Sequence, residues 1–361
     1  MGEAFRRLLD DALATGSLLH LQVDLTARCP LDCVHCYLDA HREPGLPFSQ
    51  LADLLDDARR LGVLQVHFSG GEVLLREDLL PILTLARRLR FLVQLTTSAV
   101  GMTEALAGEL AALHLHQVAV SLYSPDPAVH DAITRRPGSH AQTLAGVRRL
   151  RAHGVRVKLK TLVTTANRDA WQGMPALARQ LGAGLLLDPL VLPSAGGKRP
   201  LRPALQITPA EMQAVAATQR AWRQASAAPP GAATASPAGP SVAAICLAGQ
   251  TGLYVSPVGE VQPCVVWPLV LGDLYRERLP AIWARLGATR PFAGLVRSAM
   301  QGCAGCPELP SCGLCPGLQQ RLTGDPLGRA AAICQRTAAW AATRAGSAAP
   351  ADPDAGECLG R

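Results

Sequence analysis

Aromatic side chains are scarce in this chain: Trp, Tyr and Phe together supply 4% of its 361 residues. That scarcity removes the usual platforms on which bases stack, and with them the main support for a nucleic-acid partner. No apolar run approaches the ~18 residues of a membrane span, and none of signal-peptide type precedes the folded region. A soluble, cytoplasmic protein with no membrane partner is therefore expected. Charge of one sign is not concentrated either. The 35 basic and 28 acidic residues leave a formal +7, but the arginines are spread over helical stretches such as 86–90 and 146–151, where solvated helix faces account for them. Between Ala227 and Ser241 large apolar groups are almost absent, leaving Ala, Pro, Gly, Ser and Thr. That composition reads as a flexible link.

Cysteine, in contrast, is plentiful and clustered, with 11 in all. In a reducing compartment such clusters point to metal ligands or redox groups ahead of disulfides, and the chain is long enough to build a core without staples.

From His20 to Leu190 strand-like runs alternate with segments of helical period. Strands are predicted near His20–Thr26, Leu64–Ser69, Phe91–Thr96, Gln117–Leu122, Val155–Val163 and Leu185–Asp188. Six strand-helix units joined by right-handed crossovers suit a partial (β/α)6 barrel. The strands carry polar groups at alternate positions: His20, Gln22 and Asp24; Gln65, His67 and Ser69; Gln94 and Thr96; Gln117 and Ser121; Arg156, Lys158 and Lys160. A parallel strand buried on both faces would be apolar throughout, so this face is expected to line a wet, ligand-holding lumen. An antiparallel sheet with one solvated face is the plainer alternative. Beyond the barrel, a helix is predicted over Pro209–Ala225 with Thr208 as its N-cap, and Asn167 is taken as a helix N-cap as well.

Cys29, Cys33 and Cys36 form a C-x3-C-x2-C run directly after the first strand, on the side where parallel strand-helix folds gather their active sites. Three thiolates on one short loop can hold three irons of a [4Fe-4S] cube and leave the fourth open to a bidentate small molecule. A zinc site would need a fourth ligand, for which His35 and His41 are at hand. The run Cys29-Pro-Leu-Asp-Cys33-Val-His-Cys36-Tyr37 resembles the cluster loop of the radical S-adenosylmethionine (SAM) superfamily. Ser69-Gly70-Gly71-Glu72, at the end of the second strand, resembles that family's glycine-rich SAM motif. Glycines there let the backbone approach the amino-acid end of the cofactor, and Glu72 is suited to its ammonium group. The resemblance also implies SAM contacts at Ser121 and Arg135. Where relatives carry Thr-Asn-Gly after the third strand this chain has Thr97-Ser98-Ala99, so no contact is carried over there.

In the C-terminal part, Cys246 and Cys264 flank a predicted hairpin, Thr251–Ser256 and Val261–Val266, followed by Cys303-x2-Cys306-x5-Cys312-x2-Cys315 and then Cys334. These seven thiols resemble the SPASM extension of radical SAM enzymes, with two residues where relatives have three between Cys312 and Cys315. The resemblance implies one auxiliary cluster on Cys246, Cys264 and Cys315, with an open corner, an acidic ligand or Cys358 as the fourth. It implies a second on Cys303, Cys306, Cys312 and Cys334. Two C-x2-C pairs would also fit a double zinc ribbon. The implied fold class is α/β, a partial (β/α)6 radical SAM barrel with a C-terminal cysteine-rich SPASM domain. The expected divisions are 1–19 lead-in helix, 20–192 barrel, 193–242 linker with one helix, 243–342 SPASM domain and 343–361 disordered tail.

What the resemblance implies about activity is reductive cleavage of SAM to a 5'-deoxyadenosyl radical that takes a hydrogen from substrate. The protein's part is to bind, orient and exclude water. Lys158, Lys160 and Asp188 are the lumenal groups expected to anchor substrate or move a proton. A ribosomally made peptide is the expected substrate. No separate leader-recognition domain is expected before the first strand, so the leader would need a partner protein or the SPASM surface. A flavodoxin or ferredoxin is the expected electron donor. A small-molecule or tetrapyrrole oxidase, or a non-catalytic iron-sulfur or zinc scaffold, are the alternatives.

Overall fold

The computed structural model describes residues 3–194, 202–226, 246–300, 302–303, 305–309, 312–313 and 315–345. The Ala/Pro/Gly link at 227–241, Cys358 and the tail from 346 lie outside them.

A lead-in helix, α1 (Glu3–Thr15), precedes six alternating units: β1 (His20–Asp24), α2 (Phe48–Arg60), β2 (Gln65–Ser69), α3 (Leu79–Arg88), β3 (Leu92–Thr97), α4 (Glu104–Ala112), β4 (Gln117–Ser121), α5 (Pro127–Thr134), α6 (Ser139–Ala152), β5 (Val157–Leu162), α7 (Met174–Gln180) and β6 (Gly184–Asp188). These strands lie side by side in chain order and all parallel. The first three pair start to start, His20 opposite Gln65 and Gln65 opposite Leu92, and the later ones are shifted by one or two residues, as in Gln94 opposite Gln117. The alternation read in the sequence sets the two faces. Val23, Phe68, Leu95, Val120, Leu159 and Leu187 are all buried to within 1%. They share one core cluster with helix residues such as Leu55, Ile82 and Leu110. The polar residues between them point into the lumen.

The C-terminal part is not a detached body. After α8 (Pro209–Ala225) come β7 (Gly252–Val255), β8 (Glu260–Gln262) and β9 (Gly272–Asp273), then α9 (Leu279–Thr289), α10 (Pro316–Thr323) and α11 (Ala331–Ala345). β7 pairs parallel with β1 on the side away from β2, with His20 opposite Gly252, and β8 and β9 follow antiparallel. The hairpin between Cys246 and Cys264 thus joins the same nine-stranded sheet. An unpaired β1 edge would leave a row of backbone groups unsatisfied, and β7 supplies their partners. At the far edge, Gln219 of α8 does a similar service for β6: its Oε1 accepts from the Leu187 amide at 2.6 Å.

α8 begins where the sequence places it. Thr208 Oγ1 accepts from the Glu211 amide, while Glu211 Oε2 accepts from the Thr208 amide at 2.7 Å, a reciprocal capping box. The Thr208 backbone bond, then those from Arg168 and the Thr208 hydroxyl, hold the Glu211 carboxyl down to about 2. Thr208→Ala should lower stability by about 1 kcal/mol in anaerobic urea unfolding. Asn167 does not cap a helix. It is buried, its Nδ2 donating to the carbonyls of Tyr123 (2.7 Å) and Leu162 (2.9 Å), where it ties the exits of β4 and β5 together. Two backbone acceptors in a buried corner outweigh one helix N–H.

Candidate active site

The 29–36 loop crosses the C-terminal ends of the strands and is anchored by its backbone. The amides of Asp32 and Val34 donate to Thr134 (3.1 Å) and Ile133 (2.9 Å) at the end of α5, and Arg136 reaches the Pro30 carbonyl at 3.2 Å. Arg202 donates to the Val34 carbonyl. The Cys36 amide donates to the Cys33 carbonyl at 3.0 Å, which turns the third thiol back towards the other two. Burial pushes the Cys29 and Cys33 thiols up to about 12; Glu72 and Cys36 add to the rise at Cys29, and Cys36 and Cys29 at Cys33. Left alone, such thiols stay protonated. A cationic metal centre is what converts them to thiolates. Cys36 Sγ also lies 3.2 Å from His41 Nε2, whereas His35 packs its ring edge-on against Tyr123. Among the described residues no three His, Cys, Asp or Glu side chains converge on the position of a single metal ion.

Below the thiols opens a cavity of about 170 Å³, lined by Cys29, Cys33 and Cys36 together with Ser69, Gly70, Gly71, Thr97, Ser98, Ser121, Lys160 and Asp188. The two glycines sit where nothing larger fits. Gly70 has φ +129°, and a Cβ on Gly71 would stand 2.6 Å from the Ala27 carbonyl oxygen and closer still to that of Arg28. The glycine turn is therefore pressed directly onto the backbone that leads into the thiol loop.

The candidate residues divide. Gly70, Gly71, Ser121, Lys160 and Asp188 line the cavity with the thiols. Lys158 does not: two residues earlier on β5, it lines a separate, wider depression with Gly184 and Arg223 at the opposite ends of the strands. A strand advances ~3.3 Å per residue, so the same face reaches both ends of the barrel. Arg135 is more than half exposed and pairs with Asp32 at 2.9 Å, on the outside of the thiol loop. Glu72 is 0% exposed and is not among the residues that line the cavity. Its Oε1 accepts from Thr97 Oγ1 (2.5 Å) and the Leu74 amide (3.1 Å), and its Oε2 from the Ser98 amide (2.8 Å) and hydroxyl. Four donors fill the carboxylate's lone pairs. Burial raises its pKa and these bonds oppose the rise. Thr97 and Ser98, passed over in the sequence, are what clamp Glu72 and wall the cavity. The position after the third strand was the signal.

The remaining described cysteines fall into two sets. Burial pushes Cys264 up to about 12, with Cys315 and Cys246 adding to the rise. Cys303 is raised by burial and then by Cys334, Cys306 and Cys312.

Residues 23–172 match the Radical SAM superfamily, and residues 246–307 match the iron-sulfur cluster-binding SPASM domain. Over 333 residues the chain is 32% identical to a PqqA peptide cyclase of Streptomyces rochei, covering 86% of this chain and 88% of that protein. The chain belongs to the radical SAM superfamily. A PqqA peptide cyclase of Xanthomonas campestris pv. campestris is 31% identical over 344 residues, covering 91% and 89%. Streptococcus suis SuiB superposes with a TM-score of 0.67 at 18% identity, over 91% of this chain and 80% of that one. The SAM-bound enzyme anSMEcpe superposes at 0.65 with 13% identity, over 90% and 96%. At those identities the likeness is one of fold.

As a radical SAM enzyme the chain uses [4Fe-4S] clusters and SAM as cofactors, and the donors present fit them. Three half-buried thiols share the cavity with a glycine turn that no side chain obstructs. No described helix is long and apolar enough to cross a membrane.

Proposed function

We propose that this radical SAM enzyme oxidatively modifies a ribosomally made peptide, by a crosslink or a similar maturation. The observation that carries it is the extent of the match to proteins described as peptide cyclases: 86–91% of this chain and 88–89% of theirs, so that barrel and C-terminal part are shared in one order. In this reading Cys29, Cys33 and Cys36 hold the SAM-binding cluster, and Gly70, Gly71 and Ser121 contact the cofactor. When bound, cluster and SAM supply hydrogen-atom abstraction from an unactivated C–H. The chain's own residues position and shield. Lys160 and Asp188 offer the substrate one cation and one carboxylate. Asp188 Oδ1 accepts from the Leu190 amide at 3.0 Å, which steadies an apolar wall of Leu190 and Leu192 that keeps water out.

That wall has two faces. Leu190 and Leu192 line the cavity and also pack beside Leu318, Ile333, Cys312 and Cys315. This supports a role for the auxiliary clusters in taking up the electron left on the substrate, with Cys246, Cys264 and Cys315 holding one and Cys303, Cys306, Cys312 and Cys334 the other. A flavodoxin or ferredoxin would supply electrons, a separate protein would present the leader, and 20–192 and 243–342 are the working limits of the two cluster-bearing parts. The test is mass spectrometry of a short neighbouring-gene peptide co-expressed with the enzyme. A mass lower by two hydrogens, localised to one pair of residues, is expected. An unchanged peptide alongside SAM cleavage in the same cells would overturn the peptide reading while leaving the family assignment untouched.

A further inference from the structure

Asp24 ends β1 on its lumenal face and is 2% exposed. Its Oδ2 accepts two phenol hydrogen bonds, from Tyr37 at 2.9 Å and from Tyr254 at 2.8 Å. Tyr37 follows Cys36 directly, and its hydroxyl stands 3.5 Å from the Gly70 carbonyl. Tyr254 comes from the other part of the chain, in the middle of β7, and is 1% exposed. Its backbone pairs with Gln22, so both side chains share the lumenal face with Asp24. β7 and β8 form the hairpin that Cys246 precedes and Cys264 follows. One carboxylate oxygen therefore joins the thiol loop, the glycine turn and the auxiliary hairpin, which are remote from one another in sequence.

The chemistry of the junction makes it responsive. A buried carboxylate is costly unless donors surround it. Burial pushes Asp24 up to about 6 while the Tyr254 and Tyr37 bonds oppose the rise, so the group is an anionic acceptor at neutral pH. Charge-assisted bonds are roughly twice as strong as neutral ones, and two donors on one oxygen each feel the other's position.

We propose that Asp24 is a positioning residue that links the seat of the SAM-binding cluster to the auxiliary-cluster hairpin, with Tyr254 and Tyr37 as its two arms. A displacement of β7 passes through Oδ2 to Tyr37, and from there to the Cys36 thiol and the Gly70 carbonyl that borders the cavity. The link is tested with SAM alone, so its failure is separable from failure of the peptide reading.

The experiment compares Tyr254→Phe and Asp24→Asn with the wild-type holoenzyme, reconstituted anaerobically. Each is assayed for iron content, the EPR spectrum of the dithionite-reduced protein with and without SAM, and the kcat and KM for 5'-deoxyadenosine formation. With iron content unchanged, Tyr254→Phe should alter the SAM-induced EPR signal and raise the KM for SAM at least about tenfold, in keeping with one lost hydrogen bond to a charged group. Asp24→Asn should do the same or more, and the double variant should be no worse than Asp24→Asn alone. A Tyr254→Phe protein with the wild-type EPR response and KM overturns the proposal, whether or not it melts earlier. Additive effects in the double variant overturn it too, because Tyr254 would then act by a route that bypasses Asp24.

Discussion

Replacing Cys29, Cys33 and Cys36 together by alanine should remove about four of roughly twelve irons and abolish 5'-deoxyadenosine formation, while the remaining two clusters still assemble. The expectation follows from how the thiols are partitioned. The three sit on one loop, held by its own backbone bonds to α5, and the cysteines that raise Cys29 and Cys33 belong to that loop. The auxiliary thiols cluster among themselves. Removing the first set leaves the donors of the second intact, and the alanines remove two thiols, Cys29 and Cys33, whose charged form burial opposes. Iron and sulfide analysis with EPR of the dithionite-reduced protein reads both parts of the result. Loss of all the iron would show that the auxiliary part cannot fold around its clusters once the first is missing. Continued SAM cleavage would place the cofactor on a different set of thiols.

Much of this site was legible because its determinants are local. A C-x3-C-x2-C loop right after a strand lies within one loop, and the strand alternation that exposed the lumen needs only a period of two. Thr208 capped α8 as expected because Glu211 stands three residues on. What escaped was non-local. Nothing within 252–255 says that these residues pair with β1, because the instruction lies in the unpaired edge of a strand more than two hundred residues earlier. Tyr254 was for the same reason unremarkable in the sequence, though it reaches into the centre of the molecule. Lys158 and Lys160 share a face and so looked equivalent, but depth along the strand separates them, and periodicity carries no depth. That Thr97 and Ser98 hold the Glu72 carboxylate was likewise not legible, because they come from the end of the next strand.

Gly71→Ala should leave the iron content near that of the wild type yet cut SAM cleavage about 100-fold, since displacements near 1 Å at a reacting centre can cost that much. The added methyl meets backbone, which cannot rotate away as a side chain would. It would stand 2.6 Å from the Ala27 carbonyl oxygen and nearer still to that of Arg28, the residue that leads into Cys29. Relief requires the turn to lift off the loop by most of an ångström. The amide of Gly71 donates to the Thr26 carbonyl at 2.7 Å and the Glu72 amide to the Arg28 carbonyl at 2.8 Å, and both bonds would stretch. The thiols themselves are anchored from the opposite side, by α5, so a cluster can still assemble while the SAM-facing wall of the cavity is displaced. A titration of the reduced protein with SAM, followed by EPR, should show weakened binding in step with the lost rate. Wild-type affinity and rate in Gly71→Ala would mean that the cofactor does not lean on this turn, and the glycine-rich segment would lose its place in the site.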